Sequence, residues 1–153
     1  MRYVLVYGLV SGFVIIGVMT LGIATTDWGS FAGSEWFGYL VMLAALSLIF
    51  VAVKRYRDQE CGGVIRFGRA FGLGLGIAAV AGLAYVIGWE FYLATSGRDF
   101  MAEYSAGVAQ GMAADGASAA AIEAKLAELR QMAEYYRNPL FRIPITFVEI
   151  FPV

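Results

Sequence analysis

Three long windows of the chain, 3–26, 36–53 and 70–89, contain no charged residue. A helix rises about 1.5 Å per residue, so about 20 apolar residues cross a hydrocarbon layer about 30 Å thick. A helix in a soluble core would show a polar stripe in a window of this length, and none of the three has one. The pattern predicts three transmembrane helices, at about 3–26, 36–53 and 70–94.

The first window has an alternative interpretation as a signal peptide. Arg2 precedes it, and the small residues Gly22 and Ala24 lie where cleavage would occur. The apolar region of a signal peptide is about 7–15 residues long, and this window is longer. A membrane-spanning helix is therefore favoured over a cleaved leader.

A fourth apolar stretch covers residues 143–153 and is too short to cross a bilayer. It is expected to be either a partly inserted helix or the start of a fourth transmembrane helix. The second alternative is favoured because no basic residue ends the stretch.

Residues 98–138 form the sizeable polar region of the chain and lie between the third and fourth apolar segments. Apolar side chains recur at helical spacing on both sides of a turn signal at Asp115-Gly116, and Ser118 is placed to cap a second helix. The pattern predicts an antiparallel helical hairpin outside the membrane. Its two apolar stripes are expected to pack on each other. The alternative is a docking surface for a membrane protein partner or for lipid headgroups.

Loop charge predicts the orientation in the membrane. The segment 54–69 contains five basic residues, whereas 27–35 contains none. By the positive-inside rule, 54–69 and the N-terminus are cytoplasmic and the hairpin 98–138 is on the outer side. The three tryptophans are then expected at the outer interface, where an amphipathic ring is favoured: Trp28, Trp36 and Trp89.

The composition supports a membrane protein and excludes several kinds of catalytic and binding site. Hydrophobic residues make up 60% of the chain and charged residues 15%, against about 45–50% and about 25% in soluble domains. The net charge of −1 argues against nucleic-acid binding. The chain has no histidine, which excludes Ser-His-Asp and Cys-His catalysis, and its single cysteine, Cys61, excludes an intrachain disulfide. We therefore expect no enzyme, no cofactor and no metal site.

Glycines recur at four-residue spacing in two of the predicted spans, at Gly8 and Gly12 and at Gly68, Gly72 and Gly76. Small residues at this spacing let membrane helices approach closely. The favoured interpretation is packing within the bundle. The alternative is a seam between two copies of the chain, which would make a homo-oligomer.

Two glutamates are the candidate functional polar residues, Glu90 and Glu149. Glu90 follows the third window and is expected to anchor at the headgroups. Glu149 lies in the fourth stretch, where an exposed charge is costly, so its side chain is expected to face the bundle interior or to stay protonated. Thr20, Tyr39 and Tyr85 are expected at matching depth, which predicts a small polar cluster around Glu149.

Five blocks of the sequence, in order along the chain, are similar to a known family. They are YGLVSG at 7–12, GGVIRFGRAF at 62–71, YVIGWE at 85–90, NPLFR at 138–142 and TFVEIFPV at 146–153. Together they resemble family 4199 of the domains of unknown function. The resemblance implies a multi-pass protein of the bacterial inner membrane with four transmembrane helices and a helical insertion before the fourth. It also implies that the fourth helix continues past Val153. It assigns no activity, ligand or catalytic residue.

The sequence thus predicts one all-α membrane domain over 1–153, an integral helical bundle with three full transmembrane helices, the start of a fourth and an extramembrane hairpin. The predicted function is a non-enzymatic scaffold or modulator in the cell envelope, with the lipid bilayer as its surroundings. The alternative is a small transporter or ion pathway that uses Glu149 and Glu90. Transporters commonly show internal repeats, and the sequence has no such repeat.

Overall fold

The computed structural model describes residues 1–25 and 35–150. Trp28, most of the predicted 27–35 loop and the last three residues of the fourth apolar stretch lie outside the described residues. In the part described, the chain forms helices and no strand, which confirms the all-α fold class. The helices are α1 (Arg2–Thr25), α2 (Glu35–Leu46), α3 (Leu48–Glu60), α4 (Phe67–Ser96), α5 (Phe100–Ala114), α6 (Ala119–Tyr136) and α7 (Pro139–Ile150).

Among the described residues, three stretches of helix are long and apolar enough to cross a membrane: Arg2–Ile23, Trp36–Glu60 and Phe67–Ser96. The second consists of α2 and α3, which follow one another with a short interruption at Ser47. This helix continues past the charge-free window to Glu60 and so carries the first basic residues of the 54–69 segment. Long basic side chains are compatible with such an extension because their charged ends reach the membrane surface.

The spans form a bundle in which α1 and α4 lie side by side, with α2 and α3 against them and α7 against α4. Fully buried side chains fill the centre, among them Ile15, Met42, Ile77 and Ile150. Large apolar side chains also cover the outer surface of the spans, for example Phe13, Phe50 and Phe91. An apolar exterior over an apolar core is what a lipid-surrounded bundle requires, because lipid tails are as apolar as leucine.

Of the five predicted packing glycines, Gly8, Gly12 and Gly76 have close neighbours on the opposing helix, whereas Gly68 and Gly72 have none among the described residues. A Cβ atom at Gly8 would lie 2.6 Å from the Cβ of Val80, and one at Gly12 would lie 2.7 Å from the carbonyl oxygen of Ala81. Both glycines therefore lie where α1 and α4 approach most closely.

The other three glycines lie on α4. Gly76 faces Val4 of α1, whose Cγ atoms would be 3.3 Å from an added Cβ. Gly68 and Gly72 have nothing within 4 Å of such an atom among the described residues. These two therefore take no part in the described intramolecular contact between α1 and α4.

Helices α5 and α6 pack against each other and form the predicted hairpin. The side chain of Asp99 caps α5 by accepting a hydrogen bond from the backbone N–H of Ala102. Ser118 caps α6 in the same way, accepting from Ala121 at 3.2 Å, so the cap predicted from the sequence is confirmed. Gly116 makes the turn between the helices with a φ of 78°, which a side chain would disfavour.

Helix α7 begins four residues before the fourth apolar stretch. Asn138 accepts a hydrogen bond from the N–H of Leu140 at 3.0 Å, and Pro139 takes the first helical position. Proline is well suited there because its missing N–H would have no partner in the helix. The early start brings Arg142 into the same helix as Glu149.

Candidate functional site

The C-terminal part of α4 is joined to α7 by an ion pair between Glu90 and Arg142. The Arg142 Nε atom lies 2.6 Å from Glu90 Oε1, and Nη2 lies 2.5 Å from Oε2. The side chain of Glu90 is 29% exposed and that of Arg142 is 15% exposed. Two parallel charge-assisted hydrogen bonds in a largely shielded place make a strong and directional contact.

Arg142 also reaches the hairpin. Its Nη1 atom donates to the backbone carbonyl of Tyr136 at 3.2 Å, and its guanidinium lies 5.7 Å from the centre of the Tyr136 ring. One side chain therefore connects α4, α6 and α7. Glu90, which is predicted to anchor at the lipid headgroups, has a protein partner in Arg142.

Trp89 is the second connection between the bundle and the hairpin. Its indole N–H donates to the Tyr136 hydroxyl at 2.7 Å, and the Phe100 ring packs edge-on against it with centroids 4.8 Å apart. The residue is 3% exposed. Trp89 is predicted at the outer interface, and in the structure the base of the hairpin covers its ring. Trp36, by contrast, is exposed.

The Tyr136 hydroxyl is the centre of this arrangement. It accepts from Trp89 of α4 and is hydrogen-bonded with the buried Thr146 of α7. Burial raises the pKa of the Tyr136 phenol above its ordinary value. The hydroxyl therefore stays protonated at neutral pH and keeps both its donor and its acceptor functions. We call Glu90, Arg142, Trp89, Tyr136 and Thr146 the hairpin clamp.

A cavity of about 350 Å³ lies between the bundle and the hairpin. Most of its described lining is aromatic or methionine, contributed by α1, α2 and α4 on one side and by the hairpin and α7 on the others. The methionines are Met19, Met42, Met101 and Met132. The polar groups are four tyrosine hydroxyls, Thr146, the Trp89 indole and one carboxylate, that of Glu149.

The surroundings of Glu149 agree only partly with the predicted polar cluster. Glu149 is exposed and does not lie buried in the bundle interior, although it lines the cavity. Tyr39 and Tyr85 line the cavity together with Glu149, and Glu149 interacts electrostatically with Tyr85 and Tyr136. Thr20 is not among the described lining residues, and its hydroxyl donates to the carbonyl of Ile16 in its own helix at 2.8 Å.

The two candidate glutamates are not brought together. Glu149 lines the cavity, whereas Glu90 is held by Arg142 and is not among the described residues of the lining. Within residues 1–25 and 35–150, no three His, Cys, Asp or Glu side chains are grouped so that they could hold a metal ion.

Sequence reasoning missed the two residues on which the clamp depends, Arg142 and Tyr136. A signal for Arg142 is present in the sequence, because it is the basic residue directly before the fourth apolar stretch and Glu90 directly follows the third. Two opposite charges at the same predicted membrane boundary are candidates for a pair. Tyr136 has no comparable signal, since tyrosines are common throughout the chain.

Comparison with known proteins agrees with the sequence blocks. One family model matches residues 6–153, nearly the whole chain, and that family is described as a protein of unknown function, DUF4199. Among curated proteins, and likewise among solved structures, nothing matches the chain. The resemblance drawn from the sequence is confirmed: the chain belongs to the DUF4199 family of proteins of unknown function.

Proposed function

We propose that this protein is a non-enzymatic scaffold or modulator of the bacterial inner membrane, which holds its helical hairpin out from the lipid for a membrane protein partner. The hairpin clamp is the observation that carries this proposal. A hairpin that is joined to the bundle by an ion pair and by a buried indole–phenol hydrogen bond keeps one position relative to the membrane. A fixed position lets a surface be recognised with little loss of conformational freedom on binding.

The outward side of the hairpin has the character of a recognition surface. Charged side chains of both signs are exposed along α6: Glu123, Glu128, Arg130, Glu134 and Arg137. The two ion pairs on this surface, Lys125–Glu128 and Arg137–Glu134, are exposed, and such pairs contribute little to stability. These charges are therefore available for recognition without being needed to hold the hairpin in place.

The proposed orientation places the N-terminus in the cytoplasm and the hairpin on the outer side. The Tyr3 hydroxyl donates to Gln59 at 2.8 Å, so the N-terminus and the basic 54–69 segment are at the same end of the bundle. Arg98, two residues before α5, donates to the carbonyl of Ile23 near the other end of α1 at 3.2 Å. The positive-inside rule applied to this arrangement supports the proposed sidedness.

Cys61 makes the orientation directly testable, because it is the only cysteine and lies in the basic segment. A membrane-impermeant maleimide is expected to leave Cys61 unlabelled in intact cells and to label it after permeabilisation. In the matched control Cys61→Ser with Ala120→Cys, the new thiol is on the exposed start of α6 and is expected to react in intact cells. The reverse labelling pattern would place the hairpin in the cytoplasm.

Site-specific photo-crosslinking in the native membrane tests the scaffold proposal. A photoreactive residue at Glu123, exposed on the hairpin, is expected to give a discrete protein adduct of reproducible size. The same residue at Leu83, exposed on the lipid-facing side of α4, is expected to give none. Arg142→Gln is expected to weaken the adduct at position 123, because it loosens the clamp. Absence of an adduct from position 123, or equal adducts from both positions, would contradict the proposal.

The cavity at Glu149 is the observation that favours the alternative, a small transporter or ion pathway. A pathway normally passes a proton or ion between several polar groups. Glu90 is not such a group for this cavity, because it forms an ion pair with Arg142 and is not among the described lining residues. We therefore expect proton and cation flux in liposomes containing the protein to equal that of empty liposomes. Flux that Glu149→Gln abolishes would replace the scaffold proposal with the alternative.

A further inference from the structure

The cavity between the bundle and the hairpin is a different part of the molecule from the outward surface of α6, on which the proposed function rests. Its volume of about 350 Å³ falls in the range of small-molecule sites, which measure about 300–1,000 Å³. It combines an apolar wall with a few polar groups, which is the usual composition of such a site. Methionine side chains adapt their shape to an apolar body, and four of them line this cavity.

The charge of the lining selects the ligand class. Among the described lining residues, Glu149 is the one acidic side chain. None of these residues is Lys or Arg. Residues 26–34 and 151–153 contain no Lys, Arg or His in the sequence, so they add no positive charge. The phosphate of a lipid or nucleotide would therefore meet a carboxylate and no lysine or arginine of the described lining.

The aromatic groups have the same preference. Tyrosine and tryptophan rings attract cations through the negative faces of their π-systems, by about 0.5–2 kcal/mol per contact. Tyr39 and Tyr104 line the same cavity as Glu149, and neither ring is fully buried. Aromatic rings and a single carboxylate in the lining of one cavity favour an ammonium group.

We propose that the cavity binds a lipophilic cation, a small apolar molecule with an amine or quaternary ammonium group, whose charge lies at Glu149 and whose body lies among the methionine and aromatic side chains. The position of the cavity fits such a ligand. It lies where the spans meet the base of the hairpin, so an amphiphile can keep its apolar part at membrane depth.

Trp89 lines the cavity and reports its occupancy through fluorescence. The experiment uses the full chain in lipid nanodiscs with Trp28 and Trp36 replaced by phenylalanine, so that Trp89 is the remaining tryptophan. Three probes of similar size and different charge are titrated: phenyltrimethylammonium, its uncharged isostere tert-butylbenzene, and benzenesulfonate. We expect a saturable change in fluorescence with phenyltrimethylammonium and none with benzenesulfonate.

Substitution of the carboxylate tests the role of Glu149. Glu149→Gln is expected to weaken binding of phenyltrimethylammonium about tenfold, because a hydrogen bond or ion pair to a charged group is lost. The matched control, Glu128→Gln, removes an equal charge from the exposed surface of α6 and is expected to bind as the parent does. Equal binding of phenyltrimethylammonium and tert-butylbenzene, with no effect of Glu149→Gln, would show an apolar pocket only and overturn the proposal.

A second variant keeps the test decisive if Glu149→Gln fails to fold. Met132 lines the cavity from α6 and is 44% exposed, so the substitution Met132→Lys adds a positive charge without a buried cavity or clash. It is expected to weaken phenyltrimethylammonium about tenfold and to leave tert-butylbenzene unchanged. No saturable response to phenyltrimethylammonium in the parent protein, or no loss in Met132→Lys, would also overturn the proposal.

Discussion

Replacement of Gly12 by alanine tests whether the glycines of α1 pack within one chain. The added Cβ would lie 2.7 Å from the carbonyl oxygen of Ala81 and 2.7 Å from the Cβ of Ala84. Carbon atoms pack favourably at about 3.5–4.0 Å, so the methyl group would overlap its neighbours by about 1 Å. A backbone carbonyl cannot rotate away as a flexible side chain can. Helices α1 and α4 must therefore move apart.

The expected cost follows from this overlap and from a matched control. Overpacking of a well-packed contact costs about 1–3 kcal/mol, so Gly12→Ala is expected to lower the free energy of unfolding by about 2 kcal/mol. Gly72→Ala adds the same methyl group on α4, where nothing lies within 4 Å among the described residues. It is expected to be neutral or stabilising by up to about 1 kcal/mol, because alanine favours the helix.

Unfolding of both variants is followed by circular dichroism during an SDS titration in mixed micelles, with crosslinking to report the oligomeric state. Wild-type stability of Gly12→Ala would refute the geometric reasoning. If that variant were also to lose a crosslinked dimer, the glycines would serve a contact between copies. If Gly72→Ala lost as much stability as Gly12→Ala, the open space around Gly72 would be filled by a second chain.

Four further substitutions test the contacts that join the helices. In the same SDS titration, Glu90→Gln and Arg142→Gln are each expected to lower the free energy of unfolding by about 2 kcal/mol. The double variant is expected to lose less than the sum of the two single losses. Tyr136→Phe removes the acceptor of the buried Trp89 N–H and is expected to cost about 1–3 kcal/mol and to shift the tryptophan emission. Ser11→Ala removes a buried interhelical hydrogen bond, and we expect a loss of about 0.6 kcal/mol in thermal unfolding. Additive losses in the double variant, or unchanged stability in the other two, would contradict these assignments.

The fold was predictable because lipid and water impose opposite requirements on the sequence. A segment that crosses a membrane must satisfy its backbone internally and avoid charge, so long charge-free windows identify helices. The hairpin was predictable for a different reason: its helices begin at capping residues and its turn needs a glycine. Ser118 caps α6 and Gly116 adopts a positive φ, as the local signals indicate.

The contacts of the site were not predictable from such local signals. Trp89 and Tyr136 are 47 residues apart, and Glu90 and Arg142 are 52 apart. Their meeting depends on how the hairpin returns to the bundle, and helical periodicity carries no information on that path. The rule that places tryptophan at the interface applies to a helix end that faces headgroups. It does not anticipate that the base of the hairpin covers the Trp89 ring, as the structure shows.

The glycine pattern shows the same limit within the membrane. The four-residue spacing is identical at Gly8 and Gly12 and at Gly68 and Gly72, and spacing alone cannot distinguish the two pairs. Their surroundings differ because the first pair lies in the contact between α1 and α4, whereas the second pair has no described neighbour within 4 Å. A close helix contact requires glycine only where the opposing backbone is near.

The pairing of Glu90 with Arg142 explains how charged residues are tolerated where α4 and α7 meet. A single charge in this shielded place would lose its hydration without compensation, whereas two opposite charges joined by two hydrogen bonds compensate each other. Because Arg142 neutralises Glu90, α4 can continue beyond Trp89 to its end at Ser96 without an unpaired charge in its path. Because Arg142 also holds the end of α6, the same pair fixes α6 and α7, which both contribute to the lining of the cavity. Loss of the pair is therefore expected to affect the hairpin surface and the cavity together, although Glu90 is not a described part of the lining.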